Sequence, residues 1–203
     1  MGSDHYFSAQ PSTPFTRRSI TAILGGAERR VTTSGGIFSP DGVDKGTAVL
    51  LAGAPAPAPA GALLDIGCGW GPIALSMALA SPAATVYAVD INERSIELTR
   101  QNAADLGLAN VVAGLPESVP EDLRFDTIWS NPPIRIGKEA LHELLLRWLP
   151  RLAPGGEAWL VVQKNLGSDS LQSWLGGQLP AAWTVERAAT AKSFRLLRVA
   201  RPA

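Results

Sequence analysis

Leu63-Leu64-Asp65-Ile66-Gly67-Cys68-Gly69-Trp70-Gly71-Pro72 decides how this chain folds. An apolar run gives way to three alternating glycines and then to a proline. That is the pattern of a buried strand turning sharply into a helix that begins at the proline. Three glycines let the backbone approach a ligand closely, and the helix start offers the positive end of its dipole. The spacing is Gly-x-Gly-x-Gly, and the third glycine of a dinucleotide fingerprint would fall on Pro72. Asp65 sharpens the distinction. A carboxylate beside a pyrophosphate repels it, whereas it suits a ligand carrying an ammonium and a sulfonium. The loop therefore points to a cationic, phosphate-free nucleoside cofactor, a description that S-adenosylmethionine meets.

Downstream, strands and helices alternate. Strands are expected at 63–66, 85–89, 111–112, 125–130 and 157–163, and helices at 72–80, 93–106, 139–149 and 168–175, with Gly107 and Pro150 as stops. Two further strand-like runs, 183–188 and 194–199, are separated by too few residues for a crossover helix and must pair antiparallel. The fold class is α/β: a Rossmann-like, doubly wound, seven-stranded, mostly parallel sheet with an antiparallel C-terminal strand. Upstream, residues 1–14 read as a polar, loosely held arm. Residues 19–33 read as a small hairpin turning at Gly25-Gly26, and Asp44 caps a short helix ending near Leu51. The alternating Ala and Pro of residues 54–60 read as an extended surface connector. The expected organisation is one domain over 1–203, with an amino-terminal extension (1–53), the connector (54–60) and the core (61–203).

Composition sets limits. The 203 residues are 46% hydrophobic, and eighteen basic residues balance eighteen acidic ones. A polyanion would have to be held by a local basic patch. One cysteine, Cys68, permits no internal disulfide. His5 and His142 leave too few ligands for a metal site. With no long apolar run or leader pattern, the expectation is a cytoplasmic protein that binds neither membrane nor metal.

Asp90 ends the run Tyr87-Ala88-Val89-Asp90, where a carboxylate can accept both ribose hydroxyls, and Asn92 can reach the same ligand. The bland alternative for Asp90 is a cap on the helix beginning near Glu93. Cys68 and Trp70 read as packed loop residues beside the ligand, without nucleophilic work. Asn131-Pro132-Pro133-Ile134 follows the strand at 125–130 on the same edge of the sheet. There the Asn131 side-chain oxygen and the Pro132 carbonyl can accept hydrogen bonds from one NH2 group. Proline holds that carbonyl with little freedom to relax. The amine lone pair then turns toward a methyl carbon, and catalysis comes from positioning and electrostatics.

These residues resemble the small-domain class I methyltransferases, in particular the catalytic domain of the 16S ribosomal RNA guanine-N2 methyltransferases and their single-domain archaeal relatives. The match includes Gly36-Ile37-Phe38-Ser39-Pro40-Asp41-Gly42-Val43-Asp44-Lys45-Gly46-Thr47, the loop from Asp65 through Gly67, Cys68, Gly69 and Gly71, Asp90, and Asn131-Pro132-Pro133-Ile134-Arg135-Ile136-Gly137-Lys138. Lys192-Ser193-Phe194-Arg195-Leu196-Leu197 resembles the family's last strands. The resemblance implies that Phe38, Asp44 and Gly46 close the cofactor pocket from the amino-terminal side. It further implies S-adenosylmethionine as cofactor, and ribosomal RNA or the small ribosomal subunit as partner.

Two departures stand out. The aromatic residue that commonly follows Asn-Pro-Pro and stacks on a flipped base is Ile134 here. The second domain of the bacterial ribosomal enzymes does not fit in 203 residues, which leaves RNA capture to this domain, to a second copy in a homodimer, or to another protein. Arg135 and Lys138 flank the amine site and are the candidate phosphate contacts. Arg17-Arg18, Arg29-Arg30, Lys192, Arg195 and Arg198 are further basic positions. The expected activity is N2 methylation of a guanine in ribosomal RNA. Methylation of a glutamine side-chain amide in a protein, and a scaffold on RNA or ribosomes that binds cofactor without turnover, are the alternatives.

Overall fold

The computed structural model describes residues 14–203. Residues 1–13, which hold nearly all of the expected polar arm and His5, lie outside the described residues. The hairpin forms with β1 (Arg17–Leu24) and β2 (Ala27–Ser34) paired antiparallel, Leu24 facing Ala27 across the Gly25-Gly26 turn. Next comes α1 (Lys45–Gly53), whose N-cap is Asp44, its carboxylate accepting from the Gly46 and Thr47 N–H groups. The core then runs β3 (Ala60–Ile66), α2 (Pro72–Ala80), β4 (Ala83–Val89), α3 (Glu93–Asp105), β5 (Val111–Gly114) and β6 (Phe125–Ser130). It finishes with α4 (Lys138–Trp148), β7 (Leu152–Gln163), α5 (Ser168–Gln178), β8 (Thr184–Ala191) and β9 (Phe194–Ala200).

The seven core strands lie in the order β5-β4-β3-β6-β7-β9-β8. All pairings are parallel until β7 meets β9, so β9 is the reversed strand, one place in from the β8 edge. The chain winds from β3 toward β5 and then returns to lay β6 on the other side of β3. That reversal opens a crevice at the carboxyl ends of β3 and β6, where open α/β sheets take ligands.

Successive side chains go to opposite faces. Leu64, Ile66, Ile128, Leu160 and Val162 pack with Leu141, Leu145 and Trp148 of α4 and with Leu171 and Leu175 of α5. Leu63, Val86, Trp129 and Val161 pack with Leu50 of α1, Ile73 and Met77 of α2 and Ile96 of α3. Each fully buried aliphatic side chain on these faces contributes about 1.5–3 kcal/mol. The hairpin forms a third cluster, with Ala22, Leu24 and Val31 against Trp70, Leu75 and Leu98. Asn102 of α3 fixes it in place, accepting from the Thr32 N–H at 2.7 Å and donating to the Thr32 carbonyl at 2.9 Å.

Three expectations change. Strand β7 starts at Leu152, earlier than the sequence implies. Phe125 pairs with Leu152 while Thr127 pairs with Glu157, so Pro154 and Gly155 loop out of a ladder already begun. Helix α5 continues to Gln178 through Gly176 and Gly177. The Ala and Pro connector is anchored, since Pro57 is buried and the Ala58 N–H donates to Thr127 Oγ1 at 3.0 Å. No helix among the described residues is long and apolar enough to cross a membrane. No group of three or more His, Cys, Asp and Glu side chains there is arranged to hold a metal.

Candidate active site

The crevice holds a cavity of about 590 Å³, with a small cleft running from it beneath the glycine loop. Phe38, Asp44, Gly67, Asp90, Asn131, Pro132, Pro133, Ile134 and Arg135 line the cavity, and Cys68 and Gly69 line the cleft. Most of the residues singled out in the sequence therefore converge on one space.

On the β3–β4 side the polar groups are already engaged. Asp90 holds the loop together: Oδ2 accepts from the Gly69 N–H at 3.0 Å and Oδ1 from the Asn92 N–H at 2.9 Å. It is not the helix cap. Burial pushes its carboxyl above the usual range, while these N–H groups pull the other way. The Ile91 N–H and the Ser95 hydroxyl also reach this carboxylate, so the hydroxyls of a ligand would share it with groups the protein already supplies. Glycines 67, 69 and 71 have φ of +78°, +57° and +97°, the left-handed region that the sharp turn demands.

Three assignments shift. Asp65 lines neither the cavity nor the cleft; it is fully buried, and Oδ2 accepts from the Ala74 N–H at 3.0 Å. Ala74 lies in the first turn of α2, whose cap Gly71 has no side chain, so a strand residue does the capping. Burial raises the Asp65 carboxyl to about 8, and Oδ1 has no partner in the protein. Asn92 also turns away: Oδ1 caps α3 through the Arg94 N–H at 3.0 Å, and Nδ2 donates to the Gly36 carbonyl. Gly71 packs instead against α3, where an added Cβ would meet Thr99 Oγ1 at 3.1 Å. Lys138, expected as a phosphate contact beside the site, starts α4 in solvent just outside the cavity lining.

Cys68 and Trp70 behave as packed residues. Thr99 Oγ1 donates to Cys68 Sγ at 3.5 Å, and burial first, with the Asp90 and Asp65 carboxylates next, holds the thiol well above its ordinary range. It stays protonated and un-nucleophilic. The Trp70 indole donates to the Ser39 carbonyl at 3.2 Å.

On the β6 side a network unites distant segments. Asn131 Nδ2 donates to Asp44 Oδ2 at 3.0 Å and to Thr47 Oγ1 at 3.1 Å. Asp44 Oδ2 also accepts from the Gly46 and Thr47 N–H groups, which leaves Oδ1 for a ligand. With both Nδ2 protons taken, the orientation of the amide follows from the network, and Oδ1 is the end left free to accept. Gly46 sits behind this wall. A Cβ there would meet Asp44 Oδ2 at 2.9 Å, Phe194 Cε1 at 3.0 Å and Asn131 Nδ2 at 3.3 Å. The Pro132 carbonyl accepts from the Ile134 N–H at 2.8 Å across a tight turn at Pro133 (φ −74°, ψ 75°), an inverse γ-turn that leaves one lone pair of that carbonyl open.

Thr47, Phe194, Gln163, Ile91 and Pro116 were not anticipated as site residues. Thr47 is buried at the third position after the Asp44 cap, and Phe194 and Gln163 pair across β9 and β7 at the cavity edge. Ile91 is 49% exposed although apolar and directly follows Asp90, a signal visible in the sequence once Asp90 is placed.

Comparison with known proteins gives the family and the fold. The family model of the methyltransferase small domain matches residues 28–198. The uncharacterized protein YbxB of Bacillus subtilis (strain 168) is 36% identical over 171 residues, covering 83% of this chain and 85% of that protein. Ribosomal RNA small subunit methyltransferase C of Pseudomonas aeruginosa (strain LESB58) is 32% identical over 164 residues, 78% of this chain and 48% of that protein. Among solved structures, the T. thermophilus 16S rRNA N2 methyltransferase RsmC, in complex with AdoMet and guanosine, superposes with a TM-score of 0.75 at 24% identity. That match covers 95% of this chain and 52% of RsmC, so the chain spans about half the length of both ribosomal enzymes. The chain belongs to the methyltransferase small domain family, and it is an S-adenosylmethionine-dependent methyltransferase.

Proposed function

We propose that this methyltransferase transfers the methyl group of S-adenosylmethionine to an exocyclic amine, the N2 of a guanine in ribosomal RNA. The observation that carries the reading is the Asn131 amide. Asp44 and Thr47 hold its NH2 end, which leaves its oxygen free to accept in a residue that lines the cavity beside Pro132, whose carbonyl keeps one lone pair open. The relatives support the nucleotide: one is by name a ribosomal RNA methyltransferase, and the RsmC structure holds AdoMet and guanosine.

The cofactor lies along the carboxyl edge. Asp90 would accept the ribose hydroxyls, Ile91 and Pro116 would give the adenine apolar walls, and Asp44 would face the ammonium, all four lining the cavity. Gly67, Cys68 and Gly69 let the chain approach the methionine portion, and Phe38 with the rest of the segment before residue 53 closes the space from outside. The two acceptors would hold the amine hydrogens on one side and leave the nitrogen lone pair free to take a methyl group. S-adenosylmethionine, when bound, would supply an electrophilic methyl carbon and a neutral thioether leaving group, and the methylated nitrogen would release its proton to water. As positive charge grows on nitrogen, its hydrogen bonds to Asn131 and Pro132 strengthen, which is where the rate arises. Phe194 supplies an aromatic wall for a base that Ile134 does not, and this favours guanine over the glutamine amide that would fit the same acceptors.

Asn131→Ala separates the roles. Methyl transfer should fall by on the order of 100- to 1000-fold, as when an oriented hydrogen-bond partner of the transition state is removed, while cofactor affinity changes only a few-fold. A cofactor affinity that collapses in parallel would refute the assignment.

A further inference from the structure

Most basic side chains of this protein are already engaged. Among the described residues, Arg17 pairs with Glu97, Arg18 with Asp41, Arg147 with Glu117, Arg187 and Arg195 with Asp169, and Arg198 with Glu157 and Glu186. Arg29, Arg94, Arg100, Arg124, Arg151 and Arg201 donate to backbone carbonyls. The side chains of Arg30, Lys45, Arg135, Lys138, Lys164 and Lys192 make no hydrogen bond or ion pair among the described residues, and all six are exposed. Arg30 lies on the hairpin. The other five cluster by position: Lys45 follows Asp44, Arg135 lines the cavity, Lys138 comes two after Ile136, Lys164 follows Gln163, and Lys192 comes two before Phe194. Every lysine of the chain is in this set.

Topology spreads these cations around Asn131. Lys138 begins α4 on one face of the sheet, and Lys45 begins α1 on the other. Lys164 and Lys192 sit beyond β7 and β9, held side by side by the 2.7 Å hydrogen bond from the Lys164 N–H to the Ser193 carbonyl. Lys192 adopts φ +53°, one of only two non-glycine residues at positive φ among those described. Asn or Gly would sit there at lower cost, so a lysine is held where it is conformationally disfavoured. Asp44, Asp90 and Glu143 line the cavity itself and Glu139 lies on α4, but Lys45, Lys164 and Lys192 form no ion pair with a carboxylate among the described residues.

We propose that these five cations form an arc for the phosphates of a single-stranded polynucleotide, which crosses the cavity mouth from the α1 side to the α4 side and inserts one nucleotide toward Asn131. The inference rests on the RNA reading above and extends it. Arg195 and Arg198, already bound to carboxylates, are excluded, and Lys45, Lys164 and Lys192 are added to Arg135 and Lys138. An arc of separated point charges holds a backbone without reading its sequence, as counterion release requires.

The test uses the whole chain and a fluorescent single-stranded oligoribonucleotide containing guanine, titrated at several salt concentrations. The triple variant Lys45→Gln, Lys164→Gln, Lys192→Asn is compared with wild type and with Arg30→Gln. The arc predicts that the triple variant binds on the order of 10-fold more weakly at low salt, with the slope of log affinity against log salt reduced by roughly 0.7 for each cation removed. Cofactor affinity, measured by calorimetry, stays unchanged and shows the variant is folded, and Arg30→Gln matches wild type. Wild type binding RNA with a slope that the triple variant retains, or that Arg30→Gln lowers equally, overturns the arc alone. Wild type that binds no RNA, or binds an acidic peptide instead, overturns the RNA reading and the arc together.

Discussion

The half of the sheet edge that follows β3 and β4 and the half that follows β6, β7 and β9 are built in opposite ways. On the first, the acceptor side chains are spent on nearby backbone: Asp65 on Ala74, Asp90 on Gly69 and Asn92, Asn92 on Arg94. On the second, Asn131 reaches 87 positions back to Asp44, and Phe194 closes in from the far end of the chain. The first half is a self-supporting cradle for a ligand that never changes. The second is assembled only when the whole domain has folded, and it keeps free acceptors and free cations for a ligand that must be recognised.

The contrast can be broken first at its two poles. Asp90→Ala should raise the cofactor Kd by on the order of 100-fold, since two hydrogen bonds to a carboxylate are lost together with the support of Gly69. Calorimetry checks this, and an unchanged Kd would remove Asp90 from the ligand. A smaller effect is expected at Gly46→Ala, whose Cβ would press on Asp44, Phe194 and Asn131 at once. Turnover should fall roughly 10-fold with cofactor affinity less affected, because a misplaced acceptor costs rate before it costs binding. Steady-state kinetics with a cofactor titration decides it; equal losses in both would mean that the two halves are not separate.

Asp65→Asn sharpens the comparison through pH. The carboxyl sits near 8 when folded and near its ordinary 3.8 when unfolded, so its stabilising contribution is complete below pH 3.8 and is lost as pH rises through 8. The amide keeps an acceptor for Ala74 and has no charge to bury. Thermal unfolding should show the variant gaining on wild type between pH 5 and pH 8, by on the order of 10 °C. A constant difference across that range would show that Asp65 does not titrate as described. The smallest effect belongs to Arg198→Gln, which breaks partly exposed pairs with Glu157 and Glu186 away from the site. It should cost no more than about 1 kcal/mol and leave RNA affinity intact in the same oligonucleotide titration.

The first half was legible in the sequence because its logic is local. A strand, three glycines and a proline lie within ten residues, and the parallel alternation after them follows from periodicity alone. What local reading missed was direction. Asp65 shares its side of β3 with Leu63, which packs on α2, so strict alternation already aims its carboxylate at the α2 amino end and away from the crevice. Asn92 looked like a ligand contact because a cap and a contact use the same chemistry two residues after a strand. The second half was legible only as a motif. Asn131-Pro132-Pro133 marked the point of reaction, but Thr47 and Phe194 are brought there by packing of α1 and β9, which no spacing encodes. The early start of β7 was hidden because a proline and a glycine inside a ladder read as a turn.

The most direct measurement is transfer of labelled methyl from S-adenosylmethionine to total RNA and to total protein from a strain lacking this gene, followed by nucleoside analysis. The account predicts label in RNA, released as N2-methylguanosine and lost with Asn131→Ala. Label in protein glutamine, or in neither pool from an enzyme that binds the cofactor tightly, would contradict it.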